Sequence, residues 1–167
     1  MSHPYLLQCA IKDALAETVG TTLRTCRGAG DKEELAPLKI FIGDVPPRKR
    51  NEPEAVPCLC IQEQGGKDID GMSEVELVIR IIVYSREVEE AAHELSNLTH
   101  AVRHALMPFS TRPLSQRYRL LCSDKGELLP WERPLEQQSP YAEAFVLSVW
   151  DYKGFEHNFT TEHNHGV

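Results

Sequence analysis

Three histidines on one predicted helix are the residues of this chain best suited to chemistry. His93, His100 and His104 lie within HELSNLTHAVRH, and neutral imidazole is the commonest metal-binding side chain in proteins. His100 and His104 are four residues apart, so one helical turn would place their rings side by side. The segment lacks the glutamate of the HExxH sequence, which acts as general base in zinc proteases. The spacing therefore allows a divalent ion to bind here but does not predict a zinc-protease site.

Cys58 and Cys60 form a second pair of potentially reactive side chains. Alternate residues of a strand point the same way, so a strand through these positions would bring both thiols to one face. No further Cys or His pair stands nearby at the spacing of a zinc site. The total of five cysteines is odd and has no regular spacing, which argues against a disulfide framework. We interpret the pair as two small buried hydrophobic residues in a reducing compartment.

The helix that carries the histidines turns its apolar side away from them. At 100° per residue, a helix from about Arg86 to Met107 gathers its apolar residues into one stripe: Val88, Ala91, Ala92, Leu95, Leu98, Val102, Ala105 and Leu106. His93, His100 and His104 fall on the opposite side, whereas a catalytic metal needs a sheltered pocket with supporting hydrogen bonds. This placement favours a polar or subunit-contact surface, so we predict no catalytic residue, no metal and no cofactor.

The remaining segments predict an α+β domain. Apolar residues at three-to-four spacing indicate a first helix from Pro4 to about Thr25. Alternating patterns predict five strands, at 38–44, 57–63, 73–85, 117–123 and 142–152. The segment QGGKDIDG (64–71) is predicted to be a turn or loop. The order predicts an antiparallel or mixed β-sheet of about four to five strands packed against two main α-helices. Residues 1–153 are expected to form this single domain, followed by a polar, disordered tail at 154–167.

Two surface features predict contacts with other molecules. The strand 73–85 is apolar on one face, but its other face mixes charged and bulky residues, as in a sheet that meets a neighbouring subunit. A proline-rich loop with a basic run should project from the sheet. The predicted interface residues are Pro46, Pro47, Arg48, Lys49, Arg50, Glu76, Val78, Arg80 and Ile82. A solvated loop is the plainer interpretation of the basic run, because Asp44, Glu52 and Glu54 flank it.

The charge and hydrophobic composition of the chain limit the kinds of molecule that it is expected to bind. A formal net charge of −7 and a pI near 5.5 disfavour nucleic-acid binding, which needs a positive surface. No apolar run is long enough to cross a bilayer, and the first residues do not form a secretory signal, so we expect no membrane partner and a cytoplasmic site of synthesis. Dinucleotide, P-loop and GxSxG sequences are not present either.

The order of these segments resembles a family of phage structural proteins. It runs from IGDVPPRKRNEPEAVPCLCIQEQGGKDIDG through SEVELVIRIIVYSREVEEAAHELSNLTHAVRHALM to LLPWERPLEQQSPYAEAFVLSVWDY. The series of a proline-rich loop, a Gly/Asp turn, a long strand ending in Tyr, a helix and a closing Trp-containing strand is similar to tail terminator (tail completion, minor tail) proteins of long-tailed phages and prophages. The resemblance spans nearly all of residues 5–153.

This resemblance implies a virion structural protein with no enzymatic activity. Subunits of the family form a homo-oligomeric ring, usually a hexamer, that caps the tail tube, ends its polymerisation and allows head-tail joining. The implied partners are copies of the chain itself, the tail tube protein and the head connector or neck protein. The implied location is the virion tail, after synthesis in the bacterial host cytoplasm. Two alternatives stay open: a head-tail connector or neck subunit of similar fold, and a metal-binding enzyme or small-ligand module that uses His93, His100 and His104.

Overall fold

The computed structural model describes residues 3–27, 32–47, 49, 52, 55–134 and 140–153. In that part of the chain there are two α-helices, α1 (His3–Thr18) and α2 (Val88–Leu106), and a short 3-10 helix (Met107–Ser110). The strands are β1 (Leu23–Arg27), β2 (Glu33–Pro37), β3 (Lys39–Ile42), β4 (Cys58–Ile69), β5 (Met72–Tyr84), β6 (Arg119–Leu121), β7 (Trp131–Glu132) and β8 (Tyr141–Lys153). Of the helices in these ranges, none is both long enough and apolar enough to span a membrane.

Six of these strands form one mixed sheet. Its order is β3-β4-β5-β8-β6, and β7 pairs with β8 along the same edge as β6. β3 and β4 are parallel, whereas the other neighbours are antiparallel. The predicted α+β class with a mixed sheet and two main helices is confirmed. The sheet has one strand more than predicted because β7, only two residues long, has no recognisable pattern of its own.

Both helices pack on one face of this sheet, which we call the inner face. α1 lies over β3 and β4, and α2 lies over β5 and β8. The alternation predicted for 73–85 supplies one side of the core, and the small residues Ala142 and Ala144 of β8 let α2 approach closely. The main core residues are Leu7, Ile11, Leu15, Leu77, Ile79, Ile81, Leu95, Leu98, Val102, Leu106 and Trp150. Each contributes roughly 1.5–3 kcal/mol through burial.

The first helix ends earlier than the sequence predicts. α1 ends at Thr18, where the backbone N–H groups of Val19 and Gly20 both donate to the Leu15 carbonyl, at 2.8 and 2.9 Å. The chain then enters β1, which pairs with β2 in a separate two-stranded sheet. The prediction of a helix to Thr25 is wrong because the residues from Leu23 onward pair with β2, even though apolar residues continue at helical spacing.

The segment QGGKDIDG, predicted as a turn or loop, is strand as far as Ile69, so the prediction is wrong except at Asp70 and Gly71, which form a turn. β4 passes through a bulge between Glu63 and Gly65 and continues to Ile69, paired with β5. Asp70 and Gly71 reverse the chain with φ values of 49° and 77°. Two consecutive left-handed residues define the tight turn that Asp-Gly favours between antiparallel strands. The dipeptide therefore marks a hairpin rather than a mobile loop.

The faces of α2 largely follow the prediction. Ala91, Leu95 and Leu98 face the core together with Val102 and Leu106, whereas Val88 in the first turn is 70% exposed and does not join the core. Ser85 assists the start of the helix, because its hydroxyl accepts a hydrogen bond from the Glu87 backbone N–H at 3.2 Å. The predicted tail, 154–167, lies outside the described residues.

Candidate functional site

The outer face of the sheet, opposite the helices, is covered at one end by the chain itself. Val45 and Val56, from either end of the loop between β3 and β4, pack with Phe41 on this face. Beneath them lie Cys58, Cys60 and Ile82, and Ile82 is only 7% exposed. Of the predicted interface residues, Ile82 is thus engaged in packing within the subunit.

Arg80 is also engaged within the subunit. Its Nε donates to Glu143 Oε1 at 2.8 Å, and its Nη2 contacts the same carboxylate oxygen. Its Nη1 lies 3.4 Å from Asp44 Oδ1. The carboxylates of Glu143 and Asp44 therefore offset the positive charge of Arg80, which the sequence predicted to face a partner.

The cysteine pair lies in this covered region. Both Cys58 and Cys60 are fully buried, as the sequence predicts. The hydrogen bond between the thiols raises the pKa of Cys58, which burial raises further, and lowers that of Cys60, which the nearby Arg80 guanidinium also lowers. Within the described ranges, no group of three or more His, Cys, Asp or Glu side chains is placed to hold a metal ion.

The other end of the outer face is open and forms a groove of about 670 Å³. We call it the outer groove. Its floor is apolar and consists of Val78 from β5 with Phe145, Leu147 and Val149 from β8. These β8 residues alternate with the core residues of the same strand, so both faces of β8 carry bulky apolar groups. The sequence shows this two-sided pattern, but it does not show that one side stays partly uncovered.

The wall of the outer groove is the segment 123–132, which is fixed to the rest of the subunit. Arg103 Nε donates to the Leu129 carbonyl at 2.8 Å, and the Leu147 N–H donates to the Pro130 carbonyl at 2.9 Å. The side chain of Leu129 is 1% exposed. A turn closed by a 2.8 Å bond from Ser123 N–H to the Glu127 carbonyl completes the wall. The groove is therefore shaped before any partner binds.

The rim of the outer groove is acidic. Among the described residues, the rim carries four carboxylates, those of Glu76, Asp124, Glu127 and Glu132, and one ammonium group, that of Lys125. None of the four carboxylates forms an ion pair with any other described residue. Nearby, Glu74 raises the pKa of Lys67 from a distance of 3.2 Å, and Asp124 and Glu76 raise it further. Such a surface favours a cationic ligand and repels phosphate groups.

The predicted histidine stripe lies on the solvent side of α2. His93, His100 and His104 are all exposed, and His93 is within 3.3 Å of the Asn97 amide. The ring of His100 meets the ring of Trp131 edge to face, with 5.4 Å between centroids. Since Trp131 lines the outer groove, His100 supports the wall of the groove from behind.

The remaining predicted interface residues divide between the groove and the loop. Glu76 and Val78 line the outer groove. Pro46, Pro47 and Lys49 are exposed in the loop between β3 and β4, and Arg48 and Arg50 lie outside the described residues. Sequence reasoning missed the whole wall of the groove, because the polar, proline-spaced segment that forms it has no strand or helix pattern.

Comparison of the chain with protein-family models and with curated proteins finds no match in either set.

Proposed function

We propose that this protein is the subunit of a tail terminator ring, a virion protein that caps the phage tail tube and ends its polymerisation. The observation that carries the proposal is the series of segments across residues 5–153, which resembles that family from the proline-rich loop to the closing Trp-containing strand. The proposed role is structural and involves no catalysis. The proposed partners are further copies of the chain, the tail tube protein and the head connector or neck protein.

The geometry of the subunit supports assembly into a ring. A closed ring built from one kind of subunit in head-to-tail contact requires two different surfaces on each copy, so that the first surface of one meets the second of the next. The outer groove extends over the outer face from β4 to β7, and the proline-rich loop leaves the sheet after β3, with its ends packed on the other end of that face. The subunit therefore presents two unlike surfaces, an acidic groove and a basic loop.

The decisive experiment is deletion of the gene in the phage or prophage that encodes this chain. We expect overlong tails without heads in electron micrographs, because a tube without a terminator continues to grow. Wild-type protein supplied in trans should restore tails of uniform length joined to heads. Tails of normal length that lack heads would instead indicate the connector or neck subunit.

The histidine stripe offers a matched test of the enzymatic alternative. A double variant, His93→Ala with His104→Ala, leaves His100 in place against Trp131 and should restore tail length as fully as the wild-type protein. A failure of this variant to restore it, together with metal retained by the wild-type protein after dialysis against a chelator, would contradict the structural role and favour a metal site.

A further inference from the structure

The outer groove has chemical requirements that limit what can occupy it. Its rim carries Glu76, Asp124, Glu127 and Glu132, so an occupant must bring positive charge. Its floor is apolar, so the occupant must also bring apolar groups. Its wall is fixed by backbone hydrogen bonds, so the groove does not need to reorganise on binding. An extended basic segment with prolines meets these requirements.

The chain itself contains one segment of this kind. Arg48-Lys49-Arg50 is its only run of three consecutive basic residues, in a protein with 18 basic and 25 acidic side chains. Pro46 and Pro47 precede the run, and prolines favour an extended conformation without internal hydrogen bonds. Pro46, Pro47 and Lys49 are exposed, so they do not lie in the groove of their own subunit.

We infer that segment 46–50 of one copy lies in the outer groove of the next copy. This inference rests on the proposed ring and identifies the contact that closes it. The segment leaves the sheet after β3 with Pro46, Pro47 and Lys49 exposed, and the groove opens on the outer face between β4 and β7, so both surfaces are accessible to another copy. The groove and the segment are different surfaces, so repetition of the contact joins copies head to tail.

Charge reversal tests this contact. A loop variant carries Arg48→Glu, Lys49→Glu and Arg50→Glu; a groove variant carries Asp124→Lys, Glu127→Lys and Glu132→Lys. Each variant alone places like charges in contact, and we expect its self-association to weaken by at least about 100-fold in sedimentation velocity over a range of concentrations. All the substituted groove residues are exposed, so the fold should be retained.

Mixing the two variants gives the sharper result. In an equimolar mixture, the basic loop of the groove variant meets an acidic groove, and the acidic loop of the loop variant meets a basic groove. Both contacts are then complementary, so alternating rings with an even number of subunits should form. A control variant with Asp13→Lys, Glu17→Lys and Glu89→Lys has the same change in net charge as the groove variant but leaves the groove intact, and it should assemble like the wild-type protein.

Three outcomes would overturn the inference. The first is normal assembly of either reversal variant alone, and the second is no recovery in the mixture. The third is a wild-type chain that stays monomeric at every concentration. None of these outcomes refutes the proposed function, because a terminator ring can be held together by other contacts; the deletion experiment decides that question separately.

Cross-linking distinguishes contacts between copies from contacts within one copy. A zero-length carbodiimide reagent should join Lys49 to Asp124, Glu127 or Glu132 in wild-type protein assembled from equal amounts of ¹⁴N- and ¹⁵N-labelled chains. Cross-linked peptide pairs of mixed isotope composition would support the inference. Pairs in which both peptides always carry the same isotope would place the loop in its own groove and would overturn it.

Discussion

Two adjacent glycines in β4 are expected to respond in opposite directions to the same substitution. A Cβ atom on Gly66 would lie 2.6 Å from the carbonyl oxygen of Glu74 on β5, closer than real contacts of this kind. A Cβ atom on Gly65 would meet nothing within 4 Å. Neither glycine adopts a left-handed φ, so an alanine at either position needs no unusual backbone conformation. The contact across the strand pair is thus the difference between them.

The expected magnitudes follow from this contact. Gly65→Ala should raise the free energy of unfolding by about 0.4–1 kcal/mol, because alanine has fewer conformations to lose from the unfolded chain. Gly66→Ala should lower it by about 1–3 kcal/mol, because a backbone oxygen cannot rotate away and the paired strands must shift locally. In a chain of this size, the two variants should differ in melting temperature by at least about 3 °C.

Urea unfolding of the wild-type protein and both variants measures the effect. Circular dichroism should be recorded at one protein concentration throughout, since self-association changes apparent stability. The midpoints should shift while the slopes stay equal. If residues 64–71 formed a loop, the two substitutions would have similar effects. Equal midpoints for Gly65→Ala and Gly66→Ala would therefore refute the continuation of β4 through the bulge.

Three further predictions concern contacts elsewhere in the subunit. Ser148→Ala should lower the free energy of unfolding by about 1–3 kcal/mol, because the hydroxyl that accepts the buried Trp150 Nε1–H at 2.9 Å is lost. If the same substitution lowered the free energy of unfolding equally in a Trp150→Phe background, this explanation would be contradicted. Glu94→Ala should destabilise the protein more than Arg24→Met, because it leaves an Arg24 side chain that is 11% exposed without its carboxylate partner; equal losses in urea unfolding would count against it. Burial raises the pKa of the Cys26 thiol, so the folded protein keeps a proton that the unfolded chain releases above about pH 8.5. The contribution of the protonated Cys26 thiol to stability is complete below that pH and declines as the pH rises through the raised pKa. The free energy of unfolding of the wild-type protein should therefore fall more steeply above about pH 8.5 than that of Cys26→Ala. Parallel pH profiles of the two proteins would rule this out.

The parts of the fold that the sequence predicted well are those with a strong local pattern. The predicted strand 73–85 corresponds to β5, Met72–Tyr84, because five alternating apolar residues specify one buried face. The predicted helix at 86–107 corresponds to α2, Val88–Leu106, for the equivalent reason at helical spacing. In both elements, the spacing of apolar residues identifies the buried side, whichever segment of the chain packs against it.

The parts that the sequence did not predict depend on contacts between distant segments. β7 consists of two residues and is a strand only because it pairs with β8. The wall of the outer groove is held by a bond from Arg103 to the Leu129 carbonyl, 26 residues along the chain. Leu129 adopts a φ of 50°, which is unusual for a leucine and cannot be inferred from its neighbours in the sequence.

The division of the outer face shows why an interface is harder to predict than a core. Val78 and Ile82 have the same character and lie on the same face of β5, so alternation gives them equal weight. Ile82 is covered by Val45 and Val56, whereas Val78 remains in the open groove. Only the path of the loop after β3 separates the two positions. The loop therefore leaves open the end of the face that carries the acidic rim. Because the protein as a whole has a net charge of −7, its basic loop complements this rim better than the rest of its surface does.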